Sequence, residues 1–443
     1  MSRHDTERRP DTADISRTLW IAPILSIAVA TCLLVPNWSF AGINGGFLDL
    51  EVYRIGIESL REGSGLYTSL PATSAGISLP FIYPPFAAIV LAPLALLPWS
   101  VAAFVLFAIS TGALAAAVYL AARRMWAHQR DKAMWIAATV TPLLLLLEPV
   151  AATLDFGQIN LILMGLVAAD CLTTKPKWRR GMLVGLAAAI KLTPAAFVLY
   201  FLIRKDYRAA ATAAVTGAVA TAIGFAVLPR ESMTYWFGGL GDVSGLSGSP
   251  YHTNQSIQAI LARFSVPEPV FTLVWVGAAA ALLVLTVVAM RASATIPTLA
   301  LSCNAILALL ISPISWSHHW VWFPVALLTI AGLATLRTRA GQWWLAAAVV
   351  ATIVFAIGPH NLVPGGSDQE MNWTPWQHVV GNIYVLLAIA LVLVTALAKP
   401  QPRPAAEDEP PLKSGKPHRM TVQLLEVADT TTNIPSREGR VAG

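Results

Sequence analysis

The sequence predicts an all-α polytopic membrane protein. Of its 443 residues, 56% are hydrophobic and 12% are charged, and the mean hydropathy is +0.62. Soluble domains carry about 25% charged residues, so most of this apolar surface needs lipid as its solvent. The formal net charge of +6 does not indicate nucleic-acid binding, because Lys and Arg lie in short clusters between apolar runs. That distribution is typical of cytoplasmic loops.

The apolar runs, combined with the positive-inside rule, predict about ten full spans. They are 19–36, 101–122, 133–147, 158–172, 209–228, 270–290, 296–311, 321–336, 343–357 and 379–397. The stretch 83–97 is too short for a span and predicts an interfacial or re-entrant helix. Basic clusters flank both ends of 181–203, so that run must cross an even number of times. A hairpin with Lys191 and Pro194 near its apex meets this requirement, giving about 10–12 helices.

This path divides the chain into three parts. Residues 1–18 form a cytoplasmic N-terminal segment with no evident signal-peptide cleavage site, and 19–398 form the membrane domain. Residues 399–443 are Pro-rich and charged, which predicts a disordered cytoplasmic tail. The three cysteines lie in apolar runs and indicate neither disulfides nor a metal site.

The polar residues outside the predicted cytoplasmic loops all fall on one side of the membrane. Five of the eight histidines belong to this set: the four named below and His360. The candidate site residues are Asp49, Glu51, Tyr53, Tyr83, Asp155, Gln158, Asn160, Lys191, His252, Asn254, Gln255, Trp316, His318, His319 and His378. Their coincidence on one face favours a site facing away from the cytoplasm.

Several of these candidates also have a structural explanation. Asp49 could cap a helix, and His318 and His319 could lie in an aromatic belt. Gln158 could hydrogen-bond a neighbouring helix, as could Asn160. Lys191 could pair with Asp155 or Glu148, although a charge within an apolar run is a functional candidate by default.

The residue types suit sugar transfer from a lipid phosphate. A carboxylate can act as general base on a sugar hydroxyl, and a Lys–His cluster can hold a departing phosphate. Because nucleotide sugars are absent outside the cytoplasm, an activated donor there would be attached to a lipid. A metal bound by Asp49, His318 and His319 is disfavoured, because adjacent histidines on a helix point about 100° apart.

Six segments in order carry a family resemblance. They are residues 49–53 (DLEVY), 81–86 (FIYPPF), 156–160 (FGQIN), 190–194 (IKLTP), 253–256 (TNQS) and 312–320 (SPISWSHHW). With these segments the chain resembles the polyprenyl-phosphate-mannose-dependent α-1,2-mannosyltransferases of mycobacteria and related actinobacteria. These are membrane glycosyltransferases of the GT-C class, similar to glycosyltransferase family 87.

The resemblance implies inverting transfer of mannose outside the plasma membrane, with Asp49 as catalytic base and with no nucleotide or clearly required metal cofactor. Lys191, His318 and His319 would then bind the donor phosphate, and the other candidates would contact sugars. Glu51 is a rival base. It shares a face with Asp49 on a strand but not on a helix.

The implied partners are polyprenyl-phosphate-mannose, membrane lipids and a lipoglycan or glycolipid acceptor. The stretch 170–206 favours the branching of lipomannan or lipoarabinomannan as the acceptor reaction. Elongation of phosphatidylinositol mannosides is the alternative, and an arabinofuranose donor stays open. A lipid-linked sugar flippase is a second class of function, but the sequence shows no repeated broken helix of the kind that transporters contain.

Overall fold

The computed structural model describes residues 17–34, 46–127, 129–238, 248–335, 338–366 and 368–400. Within these ranges the chain forms eighteen α-helices and no β-strand. In order they are α1 Ile21–Leu34, α2 Leu48–Arg61, α3 Pro85–Leu96, α4 Trp99–Met125, α5 Arg130–Leu144, α6 Glu148–Asp155, α7 Asn160–Leu172, α8 Met182–Ile190, α9 Val198–Ile203, α10 Tyr207–Val227, α11 Pro229–Phe237, α12 Ile257–Arg263, α13 Val270–Ala292, α14 Pro297–Ile311, α15 Phe323–Ala334, α16 Arg339–Ile357, α17 Pro375–Gly381 and α18 Ile383–Ala398.

The all-helical, multi-pass architecture is confirmed. Among the described residues, α4, α10, α13 and α16 are long and apolar enough to cross a membrane. The count rises to six if the pairs α5–α6 and α17–α18, each bent by 69°, are single spans. Shorter apolar helices occupy most of the other predicted spans, so the total number of crossings stays a prediction. The segment 1–16 and the tail from 401 lie outside the described residues.

The run 181–203 is broken at the position that the sequence indicates. Helix α8 ends at Ile190, Lys191 is extended, and a 3₁₀ helix Thr193–Phe197 leads into α9. Pro194 supplies no N–H and therefore sits at the start of that turn. The break leaves Lys191 between helices, where its ammonium group can reach polar partners.

Helix α2 was not among the predicted spans. Its buried residues Leu50, Tyr53 and Ile57 recur at helical spacing and cover one face. Asp49 and Glu51 lie in its first turn, where negative charge is stabilised by the helix dipole. The cap position is Phe47, so the explanation of Asp49 as a helix cap is wrong.

Candidate active site

Asp49 is positioned by a close junction between the start of α2 and the turn that follows α6. The Phe47 N–H donates to the Asp155 carbonyl at 2.5 Å, and the Asp49 N–H donates to the Phe156 carbonyl at 2.8 Å. Gly157 completes the turn with φ +67°, and a Cβ there would lie 2.9 Å from Phe47 Cδ1. Glycine meets both requirements, a left-handed conformation and close approach.

The Asp49 carboxylate meets a buried Tyr–Gln cluster. Gln158 hydrogen-bonds the Asp49 side chain. The Gln158 amide oxygen accepts bonds of 3.1 Å from the hydroxyls of both Tyr53 and Tyr83, which also lie 3.0 Å from each other. Since the amide oxygen faces the tyrosines, the amide NH₂ is left to donate to Asp49. The orientation of Gln158 is therefore fixed from both ends.

Burial raises the pKa of Asp49 to about 6, while the Gln158 hydrogen bond and the positive charge of Lys191 lower it. Loss of water around the carboxylate is the largest of these effects. A carboxylate that is still ionised near neutral pH, but more basic than usual, suits general-base catalysis.

Lys191 lies beside the Asp49 cluster and is held by an amide. Its ammonium donates to Asn160 Oδ1 at 2.9 Å and lies 5.3 Å from the centre of the Tyr83 ring. In the described part of the chain neither Asp155 nor Glu148 pairs with Lys191, so the ion-pair explanation is wrong.

Asn160 links Lys191 to the histidine pair. Its Nδ2 donates to the His318 carbonyl at 3.2 Å, and the Thr153 hydroxyl donates to the same carbonyl at 2.5 Å. His318 and His319 form the 3₁₀ turn Ser317–His319 that precedes α15, with their ring centres 4.7 Å apart. One network therefore joins Lys191, Asn160 and the turn that carries both histidines.

Burial and a nearby charge favour the neutral form of both histidines. Burial and the charge of Lys191 lower the pKa of His318 to about 3, and they lower the pKa of His319 well below its usual range, with His318 contributing. Each neutral ring offers one N–H donor. Lys191 supplies positive charge to this group, and the histidines can supply hydrogen bonds.

Asn160, Lys191 and His319 also line a small cavity of about 50 Å³. Leu309 and Trp322 form part of its wall and also line a second, apolar cavity of about 530 Å³ between α14, α15, α16 and α18. A polar cavity and an apolar cavity are thus adjacent, with Leu309 and Trp322 shared between their walls.

Two acidic candidates lie apart from the Asp49 cluster. Glu51 accepts hydrogen bonds from the Ser74 N–H at 2.7 Å and the Ser74 hydroxyl at 2.8 Å, on the other side of α2. The helical conformation thus separates Asp49 from Glu51. Asp155 contributes its backbone carbonyl to the start of α2, and its side chain is exposed. Their predicted sugar contacts stay predictions.

The remaining candidates form a second group. Asn254 pairs with Trp316 as an isolated bridge, and its Oδ1 accepts from the Ser315 N–H at 2.9 Å. Gln255 Nε2 donates to the carbonyls of His252 and Gly381, at 2.8 and 2.7 Å.

Two histidines complete this second group. His252 faces Glu370, with Nδ1 3.3 Å from Oε1, and His378 stacks on Phe264 with ring centres 4.2 Å apart. The segment carrying Asn254 and Gln255 runs beside residues 315–317 and so supports the histidine turn, but these side chains do not join the Asp49 cluster. Their predicted role in sugar binding stays a prediction.

Two charged residues, one half-buried and one fully buried, were not predicted to act at the site. Glu148 accepts hydrogen bonds from the Ser317 and Tyr384 hydroxyls, at 2.6 and 2.8 Å. Arg263 donates to three backbone carbonyls and to Asn382 Oδ1. A carboxylate that directly follows the apolar run 143–147 was a usable signal for Glu148.

Comparisons with known proteins identify the family. The profile of Glycosyltransferase family 87 matches residues 81–313. A polyprenol-phosphate-mannose-dependent alpha-(1-2)-phosphatidylinositol mannoside mannosyltransferase of Mycobacterium tuberculosis is 35% identical over 395 residues, covering 86% of this chain and 91% of that protein. The Mycolicibacterium smegmatis protein of the same name is 36% identical over 382 residues, covering 82% of this chain and 86% of that protein. The chain belongs to Glycosyltransferase family 87, and the resemblance seen in the sequence is confirmed.

Two further similarities complete the comparison. A M. tuberculosis phosphatidylinositol pentamannoside mannosyltransferase of the same donor and linkage type is 34% identical over 393 residues, covering 86% of this chain and 91% of that protein. The crystal structure of ArnT from Cupriavidus metallidurans bound to undecaprenyl phosphate is similar with a TM-score of 0.40 and 18% identity, covering 86% of this chain and 78% of that one. Membership of a glycosyltransferase family leaves the flippase alternative without support.

Proposed function

We propose that the protein transfers mannose from polyprenyl-phosphate-mannose to the 2-hydroxyl of a mannose in a phosphatidylinositol mannoside, forming an α-1,2 linkage. The observation that carries this proposal is the placement of a basic carboxylate, Asp49, next to a Lys–His group at the polar end of an apolar groove. The names of four relatives combine this donor, this linkage and this acceptor class.

In the proposed reaction Asp49 takes the proton of the acceptor 2-hydroxyl as the oxygen attacks the anomeric carbon of the donor. The bond between that carbon and the phosphate oxygen breaks, and its electron pair leaves with polyprenyl phosphate. The proton ends on Asp49, so its carboxylate must be ionised at the start. Attack from the face opposite the phosphate inverts the anomeric centre.

Lys191 and the two histidines stabilise the departing phosphate. Lys191 provides positive charge, and His318 and His319, being neutral, each donate one hydrogen bond to a phosphate oxygen. This assigns separate roles to the three residues that the sequence predicts to bind the donor phosphate. The apolar cavity beyond Trp322 accommodates the first isoprenoid units of the donor.

The proposed acceptor is the one named for the relatives, not the lipomannan or lipoarabinomannan that the sequence alone favours. The names of the relatives speak of phosphatidylinositol mannosides, which supports the alternative acceptor over lipomannan or lipoarabinomannan. They also name mannose, which supports it over arabinofuranose. The basic clusters between spans support an orientation with both termini cytoplasmic and the Asp49 site outside.

The test is transfer of labelled mannose by purified protein from polyprenyl-phosphate-mannose to defined acceptors. We expect α-1,2-linked product on phosphatidylinositol mannosides, and at least about 10²-fold lower activity in Asp49→Asn, as for removal of a general base. Asp368→Asn is the matched control, because Asp368 is exposed with φ +63°, a conformation that Asn tolerates.

Three results would contradict the proposal: product on lipomannan alone, transfer of arabinose alone, or full activity of Asp49→Asn.

A further inference from the structure

Helix α6 contacts both halves of the proposed site. Its C-terminal end gives the Asp155 carbonyl to the Phe47 N–H, at the start of the helix that carries Asp49. Two residues before its end, the Thr153 hydroxyl donates to the His318 carbonyl. At its first residue, Glu148 accepts a hydrogen bond from Ser317. One short helix therefore fixes the proposed base and the histidine turn relative to each other.

Glu148 has features that go beyond packing. Its Oε1 accepts the Ser317 hydroxyl at 2.6 Å and its Oε2 accepts the Tyr384 hydroxyl at 2.8 Å. Its Oε1 also lies 3.6 Å from Nε2 of His360, a fully buried histidine. The two hydrogen bonds that hydroxyl groups donate to this carboxylate are of the charge-assisted kind, which is shorter and stronger than hydrogen bonds between neutral groups. The carboxylate therefore fixes the Ser317 side chain, one residue before His318.

Other hydrogen bonds of the Ser317–His319 turn are made by its backbone. The Ser317 N–H donates to the Thr253 carbonyl at 2.7 Å, and the His318 carbonyl accepts from Thr153 and Asn160. These contacts hold the backbone on two sides. The Ser317–Glu148 bond joins the turn, through a side chain, to the helix that also anchors α2.

We propose that Glu148 is a positioning residue that acts through Ser317 to place His318 and His319 against the donor phosphate. This inference rests on the proposed role of these histidines. Since the histidines are neutral and act by directed hydrogen bonds, their geometry matters more than it would for a free charge. A displacement of about 1 Å at a reacting group can lower a rate by about 10²-fold.

The test measures kcat and KM separately for donor and acceptor in Ser317→Ala, Ser317→Thr and Glu148→Gln. We expect Ser317→Ala to raise the donor KM or lower kcat by about tenfold or more, as for loss of a hydrogen bond to a charged group. The acceptor KM and the melting temperature in detergent should stay close to the native values. Ser317→Thr keeps the hydroxyl and should recover most of the activity.

The matched control is Ser293→Ala, which removes a buried serine hydroxyl that donates to the Ala289 carbonyl at the end of α13. A double variant, Ser317→Ala with Glu148→Gln, should lose little more than the worse single variant, because Glu148 acts on the turn through the Ser317 hydroxyl, which the first change already removes.

Several results would overturn the inference. One is native donor kinetics in Ser317→Ala. Another is an equal loss toward both substrates together with a lower melting temperature, which is the pattern of general destabilisation. Additive losses in the double variant would also contradict it. His318→Ala separates this inference from the proposed function: if His318→Ala keeps native donor kinetics, the donor-binding role itself fails. If it loses them while Ser317→Ala does not, only the role of Glu148 fails.

Discussion

Replacing Gln158 should move the pH dependence of the reaction to higher pH. In the native protein the Gln158 NH₂ stabilises the ionised form of Asp49 and holds down a pKa that burial has raised to about 6. In Gln158→Met the side chain keeps its length but no longer donates. The charged form then loses a favourable contact, so the pKa of Asp49 must rise.

The size of the shift follows from the energy of that bond. A hydrogen bond to a charged group contributes about 1.5–3 kcal/mol. One pKa unit corresponds to about 1.4 kcal/mol, so the pKa should rise by about 1–2 units. Because the proposed base works only when ionised, activity is lost as pH falls through its pKa. The acidic limb of kcat/KM should therefore move from near pH 6 to about pH 7–8.

The assay is the initial rate of mannose transfer across a broad pH range, analysed as kcat/KM because that quantity reports the pKa values of free enzyme. Gln342→Leu is a suitable control, since Gln342 is exposed on α16, away from Asp49. An unshifted acidic limb in Gln158→Met, at reduced or full rate, would refute the reasoning. So would a shift to lower pH.

Three further predictions test other contacts. Lys191→Met should raise the donor KM at least about tenfold and also move the acidic limb upward, because the Lys191 charge lowers the pKa of Asp49; a donor titration at several pH values checks both effects. Gly157→Ala should destabilise the protein by about 1–3 kcal/mol, because φ is +67° and the new Cβ would meet Phe47, and thermal unfolding in detergent measures this. Arg263→Met should lower the free energy of unfolding by about 3 kcal/mol or more, because four acceptors lose their partner, two of them in buried and two in part-buried hydrogen bonds; a melting temperature equal to that of the native protein would contradict it.

The apolar runs predicted the helices of the membrane domain well, because burial in lipid demands long stretches of one residue class. The break at Lys191 was also predictable, since a charge and a proline interrupt such a run. Helix α2 was harder to foresee. It is amphipathic and short, and its polar residues resemble those of a loop.

The sequence predicted which loops contribute residues to the candidate site, but not which side chains contact each other there. Placing residues on one side of the membrane grouped Asp49, Gln158 and Lys191, which interact in the structure, and it equally grouped His252 and His378, which lie in a second group. Side-chain partners depend on how each helix is rotated about its axis and on the backbone path of each turn. Hydropathy predicts the order of the spans but gives no information on either property.

The choice between Asp49 and Glu51 shows what local geometry adds. On a strand the two carboxylates would share a face, and both could serve as base. In α2 they point to different sides, and Glu51 is bound to Ser74 while Asp49 reaches Gln158. The helical conformation thus favours Asp49 without any appeal to the family.

The position of Lys191 gives a physical reason for its pairing with an amide rather than with a carboxylate. In the proposed reaction one negative charge leaves Asp49, which becomes protonated, and one appears on the phosphate that is released. Lys191 interacts electrostatically with Asp49 and with both His318 and His319, so its charge acts at both ends of this transfer. A permanent carboxylate partner would neutralise that charge at both stages. Asn160 fixes the ammonium with a hydrogen bond and leaves its charge available to the phosphate as the sugar departs.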